Sequence, residues 1–166
     1  MKKFLFCLGL LISSFAAAAA TELKLDDGKG GSGVTSISQT GANTYDALAT
    51  YSNYHLGDYV VNGTVRSNVK VEFSADGTFH LSELIGQLAL QYVMQDPRYP
   101  DGSVTINASS EIDRDGNPRP NGIGVDNNGV ITIPLAFTVQ GDAKPFVYQE
   151  LKFTEKDYVG AFYGLR

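Results

Sequence analysis

From Tyr45 onward the chain falls into short runs in which apolar and polar residues alternate, the period of a half-buried strand. Tyr59–Val61 and Thr64–Phe73 flank Asn62-Gly63, a pair that tolerates the positive φ angles of tight hairpins, so the pattern predicts two paired strands. Ser74–Gly77 predicts a second turn, leading into Thr78–Leu81. Further strands are expected at Ser103–Ile112, Gly129–Gln140, Phe146–Phe153 and Tyr158–Tyr163, with a long loop reaching Asn121. Asp101-Gly102, Asp115-Gly116, Asn128-Gly129, Gly141-Asp142 and Pro145 supply turn chemistry between them. Val130–Val139 is almost wholly apolar and reads as a buried strand, yet Pro134 has no amide hydrogen to give a ladder, which predicts an edge or a bulge at that point.

Ser82–Gln95 has the leucine, glutamine and alanine content of a helix, with Ser82 placed to cap it and Pro97 to end it. Leu84, Ile85, Leu88 and Tyr92 would share its buried face. The same run also fits a strand, because Leu84, Leu88, Leu90, Tyr92 and Met94 alternate strictly, and Gly86 costs a helix about 1 kcal/mol relative to alanine. Asp26–Asn43 is rich in glycine and serine, with Val34 and Ile37 its only branched apolar residues, and so offers little surface to offset the entropy of ordering it. A flexible leader over 21–43 is expected, beginning with a strand-like Glu22–Leu25; an edge strand at Val34–Ser38 is the alternative. These elements predict a mainly β fold: an antiparallel sandwich or barrel-like sheet forming one domain over 44–166, with one helix, at about 82–95, packed on it.

The first twenty residues change the picture. Lys2 and Lys3, the apolar run Phe4–Phe15 and the alanine string Ala16–Ala20 follow the order of a cleaved secretory signal. The apolar run is shorter than the roughly 20 residues that a spanning helix requires. A bacterial protein delivered to the periplasm or the exterior is expected, with no membrane span. Cys7, the single cysteine, lies inside the signal, so no disulfide is expected and burial must hold the fold. Removing Lys2 and Lys3 from 13 basic side chains leaves 11 against 18 acidic ones, a net charge of −7. Such a balance disfavours nucleic acid and anionic lipid as partners.

Few residues suggest chemistry. Gly28, Gly30 and Gly33 spell a dinucleotide-binding fingerprint, but VTSISQTG follows them where the helix that faces a pyrophosphate should start. A P-loop reading of the same stretch fails because Val34 stands in place of the lysine. Glu111, Asp113 and Asp115 alternate, with Asp126 at the far end of the loop, and Asp113-Arg114-Asp115-Gly116-Asn117 is a truncated calcium loop without the third aspartate and the distal glutamate; a solvated acidic turn and no cofactor are expected, with a calcium site as the alternative. His55 and His80 match no metal or triad spacing.

Tyr45–Tyr59 carries four of the nine tyrosines, and Tyr45, Tyr51, Tyr54, His55 and Tyr59 form the candidate contact set, since tyrosine offers a broad apolar face and a hydroxyl at low entropic cost. The expectation is an exported β-rich binding protein without catalytic activity, such as an inhibitor, an adhesin-like module or an envelope-assembly subunit. Its partner would be another envelope or extracellular protein, and it could form an oligomer. The alternative is a barrel that carries a small apolar ligand. A third reading, a carboxylate-dependent hydrolase, needs a carboxyl group with a raised pKa, and the absence of tryptophan counts against sugar chemistry.

Overall fold

The computed structural model of the chain describes residues 20–75, 79–99, 101–119, 122–140 and 142–163. Residues 1–19 of the expected signal at 1–20, the Asp76-Gly77 part of the expected turn and Gly141 therefore lie outside the described residues. Among the described residues nine strands make one antiparallel sheet: β1 (Thr21–Asp26), β2 (Ser32–Gly41), β3 (Thr44–Leu56), β4 (Tyr59–Phe73), β5 (Phe79–Gln95), β6 (Ser103–Ser109), β7 (Ile123–Val125), β8 (Val130–Val139) and β9 (Val147–Thr154), followed by α1 (Glu155–Tyr163). Neighbours in sequence are neighbours in the sheet. The exception is that β6 and β7 share one lane between β5 and β8. In that lane β5 pairs with β6 at Ala89–Gln95 and with β7 at Ile85 and Gly86, and the connection from β6 to β7, described over residues 110–119, leaves the lane between the two.

The inner face holds Val65, Leu88, Ile123, Ile131 and Ile133, all fully buried. Residues one step away along each strand point to the other face, as the two-residue period requires. α1 lies on this inner face. Its Tyr158 is completely buried and hydrogen-bonds to the Ser67 hydroxyl on β4, while Tyr158, Phe162 and Phe153 pack edge to face or tilted, with centroids 5.3 to 6.5 Å apart. The Tyr51 hydroxyl donates to the Phe162 carbonyl at 2.9 Å, so the helix joins β9 to β3 across the curl of the sheet.

The expected mainly β, partly barrel-like antiparallel fold with one packed helix is what the chain adopts. The helix, however, is not at 82–95. That run lies within β5, paired with β4 on one side and with β6 and β7 on the other. Helix propensity is worth only a few tenths of a kcal/mol per residue for these side chains, and two ladders together with burial of Leu84, Leu88 and Leu90 outweigh it. A bulge at Ser82, where the register passes from Lys70↔Glu83 to Val71↔Leu81, lets both Leu81 and Leu84 face inward.

The helix instead occupies Tyr158–Tyr163, where a strand was expected, and extends back to Glu155. Thr154 caps it: the Asp157 amide donates to the Thr154 hydroxyl at 3.2 Å, and that hydroxyl donates to the Asp157 carboxylate at 2.7 Å. Glu155 and Asp157 place negative charge in the first turn, where the helix dipole favours it.

The expected flexible leader over 21–43 is two strands, β1 and β2, and they belong to the same sheet as the rest. Asn62-Gly63 is not a hairpin turn. It lies inside β4 opposite a bulge in β3, where the Asn62 side-chain oxygen accepts the Asn53 amide at 2.8 Å and Asn53 takes a φ of 48°. Gly63 has a φ of 123°, and a Cβ there would stand 2.2 Å from the Ala89 carbonyl oxygen. The real hairpin turn is at Gly57 and Asp58. Pro134 is fully buried and pairs with Glu150 of β9; on its other side the β6 and β7 ladders stop at Ala136 and Thr132. The proline thus sits beside the break in the lane, where no amide hydrogen is demanded.

Candidate functional site

Alternating strand direction sends the turns to two ends of the sheet. One end carries the 27–31, 56–59, 96–102 and 140–147 connections. Of the seven large apolar side chains exposed among the described residues, five lie at this end: Leu56, Tyr59, Tyr99, Phe146 and Val147. They occupy three successive hairpins, with Leu56 57% and Phe146 56% exposed. Tyr59 is braced from below by an edge-to-face contact with Tyr92, centroids 6.3 Å apart. Tyr99 is presented by a compact turn in which the Asp96 amide donates to the Gly102 carbonyl and the Tyr99 amide to the Asp96 carbonyl. Asp96 is itself clamped by Arg98, whose guanidinium donates at 2.7 Å and holds that carboxyl at about 2.

The candidate tyrosine set separates in three dimensions. Tyr45 and Tyr51 face inward against the core, and burial raises both phenols, that of Tyr51 to about 12, with Tyr54 and Tyr92 nearby adding to the effect. Tyr54 packs edge-on against Tyr51. Of the four, only Tyr59 belongs to the exposed rim. Its companions Leu56, Tyr99, Phe146 and Val147 were missed by the sequence reading, although all flank turns rather than occupying strand centres.

His55 is tied down. Its amide and its Nδ1 both donate at 2.7 Å to Asp27 Oδ2, while Asp27 Oδ1 accepts the amides of Lys29 at 2.7 Å and Gly31 at 3.0 Å. A carboxylate only accepts, so Nδ1 carries the hydrogen. The Asp27 side chain is 2% exposed; burial works to raise its pKa, but the donors from His55, Lys29 and Gly31 outweigh it and hold the acid well below the ordinary range. The glycine-rich stretch therefore wraps its amides around its own aspartate instead of a phosphate. Gly31 approaches so closely that a Cβ would stand 2.0 Å from the Asn53 carbonyl oxygen.

His80 makes a second pair of this kind, its Nδ1 2.7 Å from Glu155 Oε1, which also accepts the Leu81 amide. Among the described residues no hydroxyl or thiol bonds to Nε2 of either imidazole, so neither pair has the nucleophile that acyl transfer would need.

The proposed calcium ligands do not converge. Among the described residues no group of three or more histidine, cysteine, aspartate or glutamate side chains is placed to hold a metal ion. Asp113 Oδ1 accepts the amides of Asp115 and Asn117, and Asp126 Oδ1 those of Asn128 and Val130. Those amides lower both carboxyl pKa values, that of Asn117 leading for Asp113 and that of Val130 for Asp126. Asp27 does the same with Lys29 and Gly31, and in all three cases the fourth residue is a glycine of positive φ: Gly30, Gly116 and Gly129. Asp-x-x-Gly is thus this chain's recurrent turn. Glu111 and Asp115 remain in the 110–122 loop, which Arg114 and Arg119 fasten to β9 by stacking on the Tyr148 ring and bonding its hydroxyl.

A groove of about 460 Å³ crosses the other face of β2–β5, lined by Ser36, Ser38, Asp46, Arg66, Asn68 and Gln87. It is open and mixed, with Leu48 and Ile85 beside these polar groups, and Asn68 already donates to Asp46 at 2.6 Å. Among the described residues no helix is long and apolar enough to cross a membrane.

The chain is, by class, a curled antiparallel meander whose inner face is filled by a C-terminal helix and whose hairpin tips present an apolar rim. No family model matches the chain, and neither a curated protein nor a solved structure is significantly similar to it.

Proposed function

We propose that the protein is an exported bacterial binding module that docks another envelope or extracellular protein through the hairpin tips carrying Leu56, Tyr59, Tyr99 and Phe146. The observation that carries this reading is the concentration of exposed large apolar side chains on three successive hairpins at one end. Aromatic and aliphatic anchors on rigid turns are what partner surfaces use, since they bring contact area at little conformational cost. Tyr158 and Phe162 occupy the space that a carried ligand would need, which favours docking over carriage. The reading assigns no catalytic step.

The test is site-specific photocrosslinking in the producing cell, with the probe placed in turn at Tyr59, Tyr99 and Phe146, and at Thr50 on the opposite face as a control. A discrete adduct of the same mass from the rim positions, absent from the control, is expected. No adduct, or equal adducts from all four positions, overturns the proposal.

A further inference from the structure

Among the described residues the two outermost strands, β1 and β9, each pair on one side only. Natural edge strands are guarded by prolines, bulges, very short length or charged side chains, lysine above all, because a bare ladder edge recruits another strand. Both strands are regular, with no proline and no shift of register against their neighbours, so charge is the guard they carry. On β1 Lys24 stands between Glu22 and Asp26, and on β9 Lys152 follows Glu150 by two residues, so a strand that pairs with either edge must match these charges.

The sheet has eight lanes of alternating direction, so β9 beside β1 would be antiparallel and would keep both inner faces on the same side. One register matches everything. Glu22 falls opposite Lys152 and Lys24 opposite Glu150 on the outer face, while Leu23 meets Leu151 on the inner face. The faces are those the structure assigns, since Leu23 pairs with buried Thr35 and Leu151 with buried Ile133. Among the described residues the four charged side chains form no ion pair within the chain. Directly opposed unlike charges and apolar pairs are the units that stabilise a sheet, and a one-residue slip would destroy both matches.

Within one copy these edges are not paired, and α1 bridges β9 to β3 instead. We infer that β9 of one copy pairs antiparallel with β1 of a second copy of this chain, in the register Glu22–Lys152, Leu23–Leu151, Lys24–Glu150. The contact is head to tail: each copy offers β1 to one neighbour and β9 to another, so assembly continues along a line unless its rotation closes a ring. This inference rests on the sheet edges and is independent of the proposed rim.

The test is the mass of the purified protein by sedimentation equilibrium across a concentration series, for the parent, for Lys152→Glu and for the swap Glu22→Lys with Lys152→Glu. Expected are masses above the monomer that rise with concentration, an association constant lowered about tenfold or more by Lys152→Glu, and recovery in the swap. A parent that stays monomeric at every concentration overturns the inference, as does assembly indifferent to Lys152→Glu. A monomer whose melting temperature, rather than mass, follows the swap would mean that the two edges close on each other within one copy, and also overturns it.

Discussion

The chain uses its aromatic residues in opposite ways in its interior and at its hairpin tips. Tyr158 and Tyr51 are inward, and each hydroxyl has a protein partner, Ser67 for one and the Phe162 carbonyl for the other. Tyr59 and Tyr99 stand at turns and remain partly open to solvent, 43% and 39% exposed. A buried phenol must find a hydrogen bond or lose the cost of its desolvation, so the inward pair is committed to the fold. The outward pair carries no such desolvation cost, which is the contrast on which the proposed docking rests.

Replacing Tyr158 tests the interior most severely. Tyr158→Ala should cost about 3–5 kcal/mol, as other buried aromatic truncations do, and loosen α1 from the sheet; denaturant unfolding measures the first and hydrogen exchange of α1 the second. Gly63→Ala comes next, at more than about 1 kcal/mol, because the new methyl would meet the Ala89 carbonyl on a backbone of positive φ. Thr35→Val should act in the other direction: the Thr35 hydroxyl is buried without a partner among the described residues, and its removal should raise stability by about 1 kcal/mol in the same assay. At the tips, Leu56→Ser and Phe146→Ser should each change stability by less than about 0.5 kcal/mol, and Tyr59→Ser by about 1 kcal/mol because it loses the Tyr92 contact, while each abolishes partner capture. A large loss of stability at any of these three would erase the contrast between committed and free residues.

Acid offers a further measurement, this one on the turns. Asp27, Asp96, Asp113 and Asp126 all have folded pKa values below the ordinary aspartate value. The unfolded chain therefore takes up protons at higher pH than the folded one, and the stabilisation is complete above an unfolded pKa of about 3.9 and is lost as pH falls toward the folded values. The melting temperature should be insensitive to these four groups near neutrality and fall below about pH 4. Asp27→Asn should blunt the fall more than Asp113→Asn, because Asp27 also holds the His55 ring.

Much of the strand content was legible because alternation is a local signal: β6, β8 and β9 stand within a few residues of where the pattern puts them. Two errors shared a cause. Ser82–Gln95 and Thr21–Asn43 were judged by their own propensities, whereas each is ordered by ladders supplied from elsewhere. The helix at Glu155 did have a local signal, Thr154-Glu155-Lys156-Asp157, a capping sequence overshadowed by the aromatic residues after it. The Asp-x-x-Gly turns were equally visible, but two of them were read as calcium ligands because spacing alone does not say whether a carboxylate faces an ion or its own backbone.

By itself, then, the amino-acid order determined that this chain is mainly strands, joined by aspartate and glycine turns and held without sulfur, since those properties follow from side-chain period and local turn chemistry. Only the tertiary structure decided which tyrosines are used up in the core, where the helix lies and which carboxylates are already satisfied. Those outcomes depend on contacts between residues far apart in the chain, Tyr51 with Phe162, Ser67 with Tyr158 and Asp27 with His55, and no local pattern records them.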